Sequence, residues 1–167
     1  AQLRVRLIVA QRIVTLEREL RERNNQLAQA NAGLEVLSRV DALTGAGNRA
    51  AFHEQIETTH TQALRSGRPY GVVVCDLDHF KQINDQNGHQ CGDRVLTGTV
   101  AAIRNVARRG DVVFRYGGDE IVLVVPDEGL KSVRNLTERV CAELGRVEFR
   151  DGEGQPFRLT ASFGVAT

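Results

Sequence analysis

Seven residues, Arg115-Tyr116-Gly117-Gly118-Asp119-Glu120-Ile121, narrow the fold more than any other part of the sequence. They lie between the strand-like runs Asp111–Tyr116 and Ile121–Val125. Two apolar runs joined through Gly-Gly predict a β-hairpin, because glycine reaches positive φ without steric cost. A hairpin has no need of two adjacent carboxylates at its turn. Asp and Glu are poor strand formers and repel one another side by side. Their presence at this turn calls for a cation or a proton.

The remainder of the chain gives that turn a setting. Ile13, Leu20, Leu27 and Leu34 recur every seven residues, with Val9, Leu16, Ala30 and Leu37 three places later. Such an a/d heptad predicts a parallel two-stranded coiled coil over residues 1–40 that pairs two copies of the chain. Arg6 and Arg23 interrupt its seam and Gly33 weakens its end. Residues 41–47 then form a glycine-punctuated loop, and Asn48 caps a helix whose inner face is Phe52, Ile56 and Ala63 and whose stop is Gly67. The apolar run Tyr70–Leu77 reads as a central strand buried on both faces. Beyond it come the cluster Asp76–Asp93, a helix with Val95, Leu96, Val100, Ile103 and Val106 inward, the hairpin, and a helix marked by Leu130, Val133, Leu136, Val140 and Leu144. A last strand pair is expected over Val147–Arg150 and Phe157–Ala166. This order predicts an α+β domain of ferredoxin-like or palm type over residues 41–167, a central antiparallel sheet flanked by helices. Its layout sets Asp76, at the tip of the first strand, beside the Asp119-Glu120 turn.

Composition removes several function classes. Twenty-two basic against 21 acidic residues argue against a nucleic-acid-binding surface. Cys75, Cys91 and Cys141, an odd set, read as reduced thiols of a cytoplasmic domain and not as a disulfide frame or zinc site. No apolar run approaches the ~20 residues that cross a bilayer. A start without methionine, inside a helical pattern, predicts a piece of a longer protein.

Converging Asp76, Asp119 and Glu120 cannot all stay ionised without a counter-charge. Hard oxygen ligation selects Mg²⁺ or Mn²⁺, and two such ions serve phosphoryl transfer by stabilising attacking and leaving oxygens. Lys81 is spaced to meet phosphate as a point charge, and backbone N–H groups near His79 and Phe80 can add to that cradle. Asp93 can accept from both donors of the guanine edge, with Asn84 covering a neighbouring atom, whereas adenine would leave the carboxylate unpaired. Simpler roles stand beside these: Asp76 and Asp78 as solvated strand-end acids, His79 and His89 as loop hydrogen-bonders, Asn84 and Asp93 as helix caps. The Asp85–Gly88 turn lacks the ligand ladder of an EF-hand.

Taken together, the set Asp41-x-Leu-Thr-Gly45…Asn48-Arg49, Asp76-x-Asp78-x-Phe80-Lys81-x-x-Asn84-Asp85-x-x-Gly88-His89-x-x-Gly92-Asp93 and Arg115–Glu120 resembles the GGDEF domain of bacterial diguanylate cyclases. The resemblance covers residues 41–167 and implies the palm fold of nucleotidyl cyclases and the condensation of two GTP into cyclic di-GMP with release of two pyrophosphates. It implies Asp76, the Leu77 carbonyl, Asp119 and Glu120 as ligands of two Mg²⁺ or Mn²⁺, with Asp119 alternatively taking the 3′-hydroxyl proton. Lys81 meets the triphosphate, Asn84 and Asp93 read guanine, and Phe80, Gly117 and Gly118 line the nucleotide. Each subunit holds one GTP, so two catalytic domains must face each other, under an upstream sensor acting through the coil. Arg108-x-x-Asp111 matches the family's inhibitory product site, where cyclic di-GMP feeds back. Three departures stand out: Ile121 in place of Phe, Ala46 in place of leucine, and an end at Thr167, where the family continues with a final helix, bearing a Lys and an Arg for the triphosphate, and a strand. Two other readings are a GGDEF domain that no longer turns over and acts as a GTP or cyclic di-GMP receptor, and a pure dimerisation relay. The complete carboxylate set disfavours both.

Overall fold

The computed structural model describes residues 17–18, 21–23 and 39–167. The chain divides after Ser38 into two units. In the first, residues 17–18 and 21–23 are helical and exposed; the rest of the heptad expectation lies outside the described residues.

The second unit begins with helix α1 (Arg49–Ser66). Its first turn is closed by the Asn48 side chain, which accepts the Ala51 N–H at 3.0 Å. Its end is closed by Gly67, which at φ 71° donates its N–H to the Ala63 carbonyl. There follow β1 (Gly71–Leu77), α2 (Phe80–Asn87), α3 (His89–Val106), β2 (Val112–Arg115), β3 (Glu120–Val125), α4 (Leu130–Leu144), β4 (Phe149–Arg150), β5 (Pro156–Phe157) and β6 (Ala161–Ala166). The main sheet has the order β2-β3-β1-β6, and each pair of neighbours is antiparallel. This is the ferredoxin-like, palm arrangement expected from the element order. Val73, Cys75 and Leu77 alternate along β1 onto the same core as Ile121 and Leu123 of β3, and the heptad-like faces of α3 and α4 (Val95, Val100, Ile103, Val133, Val140) close it.

The structure corrects five expectations. Strand β1 is not buried on both faces: Val74 is 41% exposed and Asp76 is exposed as well. Helices α3 and α4 cover one face, while on the other α1 reaches only the β2 side, where Phe52 meets Phe114 edge-on at 5.6 Å. For the same reason Phe52, Ile56 and Ala63 are half-buried, not buried. The expected last strand breaks in two. β5 pairs with β4 in a separate ribbon, while buried Leu159 turns the chain and β6 joins the main sheet beside β1. The Gly117-Gly118 turn uses no positive φ, and four residues, not two, separate its strands. Finally, α3 starts at His89, so Asp93 lies within the helix and is no cap.

Among the described residues no helix is long and apolar enough to cross a membrane. The three cysteines are free, and burial pushes the Cys75 thiol up to about 12, which leaves it a protonated packing group.

Candidate functional site

The register of the two central strands makes the site. Asp76 of β1 stands directly opposite Glu120 of β3, and Ser162 of β6 flanks Asp76 on the other side. Side chains of residues directly opposite share a face of the sheet, and this is the face that α1 leaves open. The same register places Leu77, whose side chain is buried, at the end of β1 against Ala161. Two carboxylates so placed repel unless a cation lies between them.

Asp119 stands on the turn before Glu120, half-buried. The turn is closed by Tyr116, whose N–H donates to the Glu120 carbonyl at 2.9 Å. A Cβ on Gly117 would come within 3.1 Å of Glu120 Oε2, so glycine there lets the carboxylate fold back over the turn; beside Gly118 there is open space.

Arg115 ties this turn to the loop that precedes α1. Its Nε and Nη2 donate to the Gly118 carbonyl at 3.1 and 2.9 Å, and its Nη1 reaches Asp41 Oδ2 at 3.3 Å. Asp41 in turn accepts from the Thr44 N–H at 2.8 Å and the Thr44 hydroxyl at 2.6 Å. One planar guanidinium thus cross-links two loops, as its fork of donors allows. Tyr116 is held from the other side: Phe52 packs edge-on at 5.3 Å, and the Arg49 guanidinium lies 4.7 Å over its ring.

Past β1, Asp78 donates its N–H to the Thr160 carbonyl at 3.0 Å and accepts from the Ser162 hydroxyl at 2.8 Å. Hydrogen bonds from Thr160 and Ser162 hold its carboxyl below the usual carboxylate range. Asp78 is therefore no idle solvated acid; it fastens the β1–α2 loop to β6. Next to it, His79 takes φ 59°, a left-handed conformation uncommon outside glycine, and enters α2 without a side-chain cap. Phe80 opens α2 and Lys81 is exposed beside it. Helices α2 and α3 approach closely at Gly92: a Cβ there would lie 2.0 Å from Asn84 Oδ1 and 3.1 Å from Phe80 Cζ. That approach sets Asn84 next to the residue preceding Asp93, which is exposed on α3. Asn84 lies in the last turn of α2, so it caps no helix start.

The structure thus brings Asp76 to Glu120, and Asn84 toward Asp93. It does not gather Asp76, Asp119 and Glu120 into a ready cage: among the described residues no group of three or more His, Cys, Asp or Glu side chains is disposed to hold a metal ion. The donor chemistry still fits Mg²⁺, which usually takes one or two carboxylates and completes its shell with water and substrate phosphate.

Arg108 and Asp111 sit apart from this centre, between α3 and β2. Asp111 Oδ2 accepts the Arg108 N–H at 2.7 Å, the Arg108 carbonyl accepts the Asp111 N–H at 3.0 Å, and the Arg108 guanidinium is paired with Glu128. Sequence reasoning gave no role to Asp41, Asp78, Gly92, Arg115 or Glu128. The first four were visible inside the motifs, but their partners are distant in sequence; nothing in the sequence singled out Glu128.

Comparison with known proteins agrees with this architecture. Residues 38–167 match the family model "Diguanylate cyclase, GGDEF domain". The chain is 38% identical over 125 residues to diguanylate cyclase DgcP of Pseudomonas aeruginosa, covering 75% of this chain and 18% of that protein. It is 38% identical over 133 residues to diguanylate cyclase DgcM of Escherichia coli, covering 80% of this chain and 32% of that protein. It therefore spans less than a third of either relative. Among solved structures, the GGDEF domain of DgcB from Caulobacter crescentus in complex with c-di-GMP superposes with a TM-score of 0.73 at 30% identity, covering 77% of this chain and 76% of that one.

Proposed function

The chain belongs to the GGDEF family of diguanylate cyclases, and from that premise we propose that it condenses two GTP into cyclic di-GMP, releasing two pyrophosphates. The observation that carries this reading is the register that sets Asp76 against Glu120 on the open face of the sheet. Each 3′-oxygen forms a bond to the α-phosphorus of the facing nucleotide while the bond to the pyrophosphate oxygen breaks, and this happens twice. Asp76, the Leu77 carbonyl and Glu120 would hold Mg²⁺ or Mn²⁺, which when bound supplies charge neutralisation at the phosphates. Asp119, on the turn at the edge of this pair, accepts the 3′-hydroxyl proton. Lys81 offers its ammonium to the triphosphate. The bare backbone of Gly117 and Gly118 admits the nucleotide close to the turn. Asn84 and Asp93 take the guanine edge, with Phe80 packed beside them.

Because one site holds one GTP, turnover requires two catalytic domains face to face. The heptad supports a coiled coil that pairs them under an upstream sensor; it ends before Arg39 and not at residue 40, because Val40 bridges Gly47 and belongs with the catalytic domain that follows. Arg108 and Asp111 bind the product and restrain the enzyme.

Incubation with GTP and Mg²⁺, with chromatographic detection of cyclic di-GMP and pyrophosphate, tests the reading. Product is expected, and Asp119→Ala or Glu120→Ala should lower its rate by about 10²-fold or more while the protein stays folded. A folded, dimeric chain that binds GTP yet forms no product would leave a nucleotide receptor in place of an enzyme.

A further inference from the structure

A cavity of about 370 Å³ opens where α3 ends and β2 begins, and three arginines, Arg104, Arg108 and Arg109, line it together with Asp111. Three guanidinium groups against one carboxylate make it an anion-binding pocket. Its arginines are not equally available. Arg104 already donates from Nη2 to the Gly45 carbonyl at 2.6 Å, which ties it to the loop before α1. Arg108 lines the pocket but gives its Nη1 to Glu128, a residue that does not line it. The ion pair occupies part of that guanidinium and sets a negative charge next to one arginine of a site built for an anion.

Both ends of that pair are anchored. The backbone of Arg108 is pinned by Asp111, through the 2.7 Å bond to its carboxylate and the 3.0 Å bond between their backbones, so only the Arg108 side chain is left to move. Glu128 stands in the turn between β3 and α4, where the Ser132 hydroxyl and Arg108 both bond to it and hold its carboxyl below the usual range. It is thus ionised at neutral pH and stays in place when Arg108 leaves.

We propose that Glu128 sets the affinity of the Arg108–Asp111 site for cyclic di-GMP by competing with the ligand for the Arg108 guanidinium. The inference rests on the product-site reading given above. The acceptors the ligand offers, phosphate oxygens and the O6 and N7 of guanine, seek the donors that Glu128 occupies. A phosphate arriving there also meets the Glu128 charge at close range. The arginine of the pair is 63% exposed, and exposed ion pairs are weak, so Glu128 tunes the site and does not close it. It moves the product concentration at which feedback begins.

Calorimetric titration of cyclic di-GMP into the whole chain and its E128Q and R108A variants, at low and high salt, tests this. E128Q should bind about fivefold more tightly than the parent, the gap should narrow as salt screens the charge, and R108A should bind weakly. If R108A binds weakly but E128Q binds no more tightly than the parent, the competition is overturned and the product site stands. If R108A binds as well as the parent, the product-site reading itself falls, and the role of Glu128 with it.

Discussion

At position 92 the absence of a side chain decides how two helices meet. The space a Cβ would take on Gly92 is filled by Asn84 Oδ1, 2.0 Å away, and Asn84 is the residue we propose to cover the guanine beside Asp93. Gly92→Ala should therefore turn the Asn84 side chain aside while the fold persists. Alanine also improves helix propensity by about 1 kcal/mol, which offsets part of the crowding. We expect the KM for GTP to rise about tenfold with kcat nearly unchanged, and the melting temperature to shift by only a few degrees. Steady-state kinetics and a thermal melt on the same preparation check both. The paired acids Asp119 and Glu120 were legible in the sequence, because adjacent carboxylates at a turn conflict with strand propensity and so demand a reason. The steric role of Gly92 was not, since it exists only once α2 and α3 cross. Nor was the role of Asp78, whose partner Ser162 belongs to a strand laid down much later in the chain.

Among the elements, the turn between β2 and β3 is held both by its own hydrogen bonds and by its neighbours. Arg115 spans from the Gly118 carbonyl to Asp41, so the loop of residues 41–47 and the turn bearing Asp119 move together. Arg115→Lys keeps the charge but loses the fork that serves both partners at once. Its expected effect is a fall in kcat of about tenfold with the KM for GTP little altered, as for a positioning residue that touches no substrate. A KM change with kcat intact would instead assign Arg115 to substrate binding. Helix α4 and the body of α3 were legible from their apolar periodicity, and α1 from its Asn and Gly caps. The division of the last strand was not: an apolar run does not say which sheet each half will join, and Leu159, buried between them, looks like any other strand residue. The exposed face of β1 was missed for a related reason, since an uninterrupted apolar run looks the same whether one face is covered or two.

At the scale of the whole fold, the core and the carboxylates proposed for catalysis occupy opposite faces of one sheet. Leu123 is fully buried on the face covered by α3 and α4, whereas Asp76 and Glu120 share the open one. Leu123→Ala should cost about 2–5 kcal/mol, seen as a lower denaturant midpoint with an unchanged m-value. At temperatures where the variant remains folded, its turnover should stay near that of the parent. The palm class was legible because the succession of strands and helices admits few topologies; the order β2-β3-β1-β6 was not, since it depends on where β6 joins. That order, in which β3 and β6 flank a β1 made long before them, also bears on synthesis. A nascent chain that has displayed β1 but not β3 carries Asp76 with no carboxylate across from it. The carboxylate pair that we propose as the metal site therefore exists only after long-range strand pairing, the slow and entropically costly step of folding.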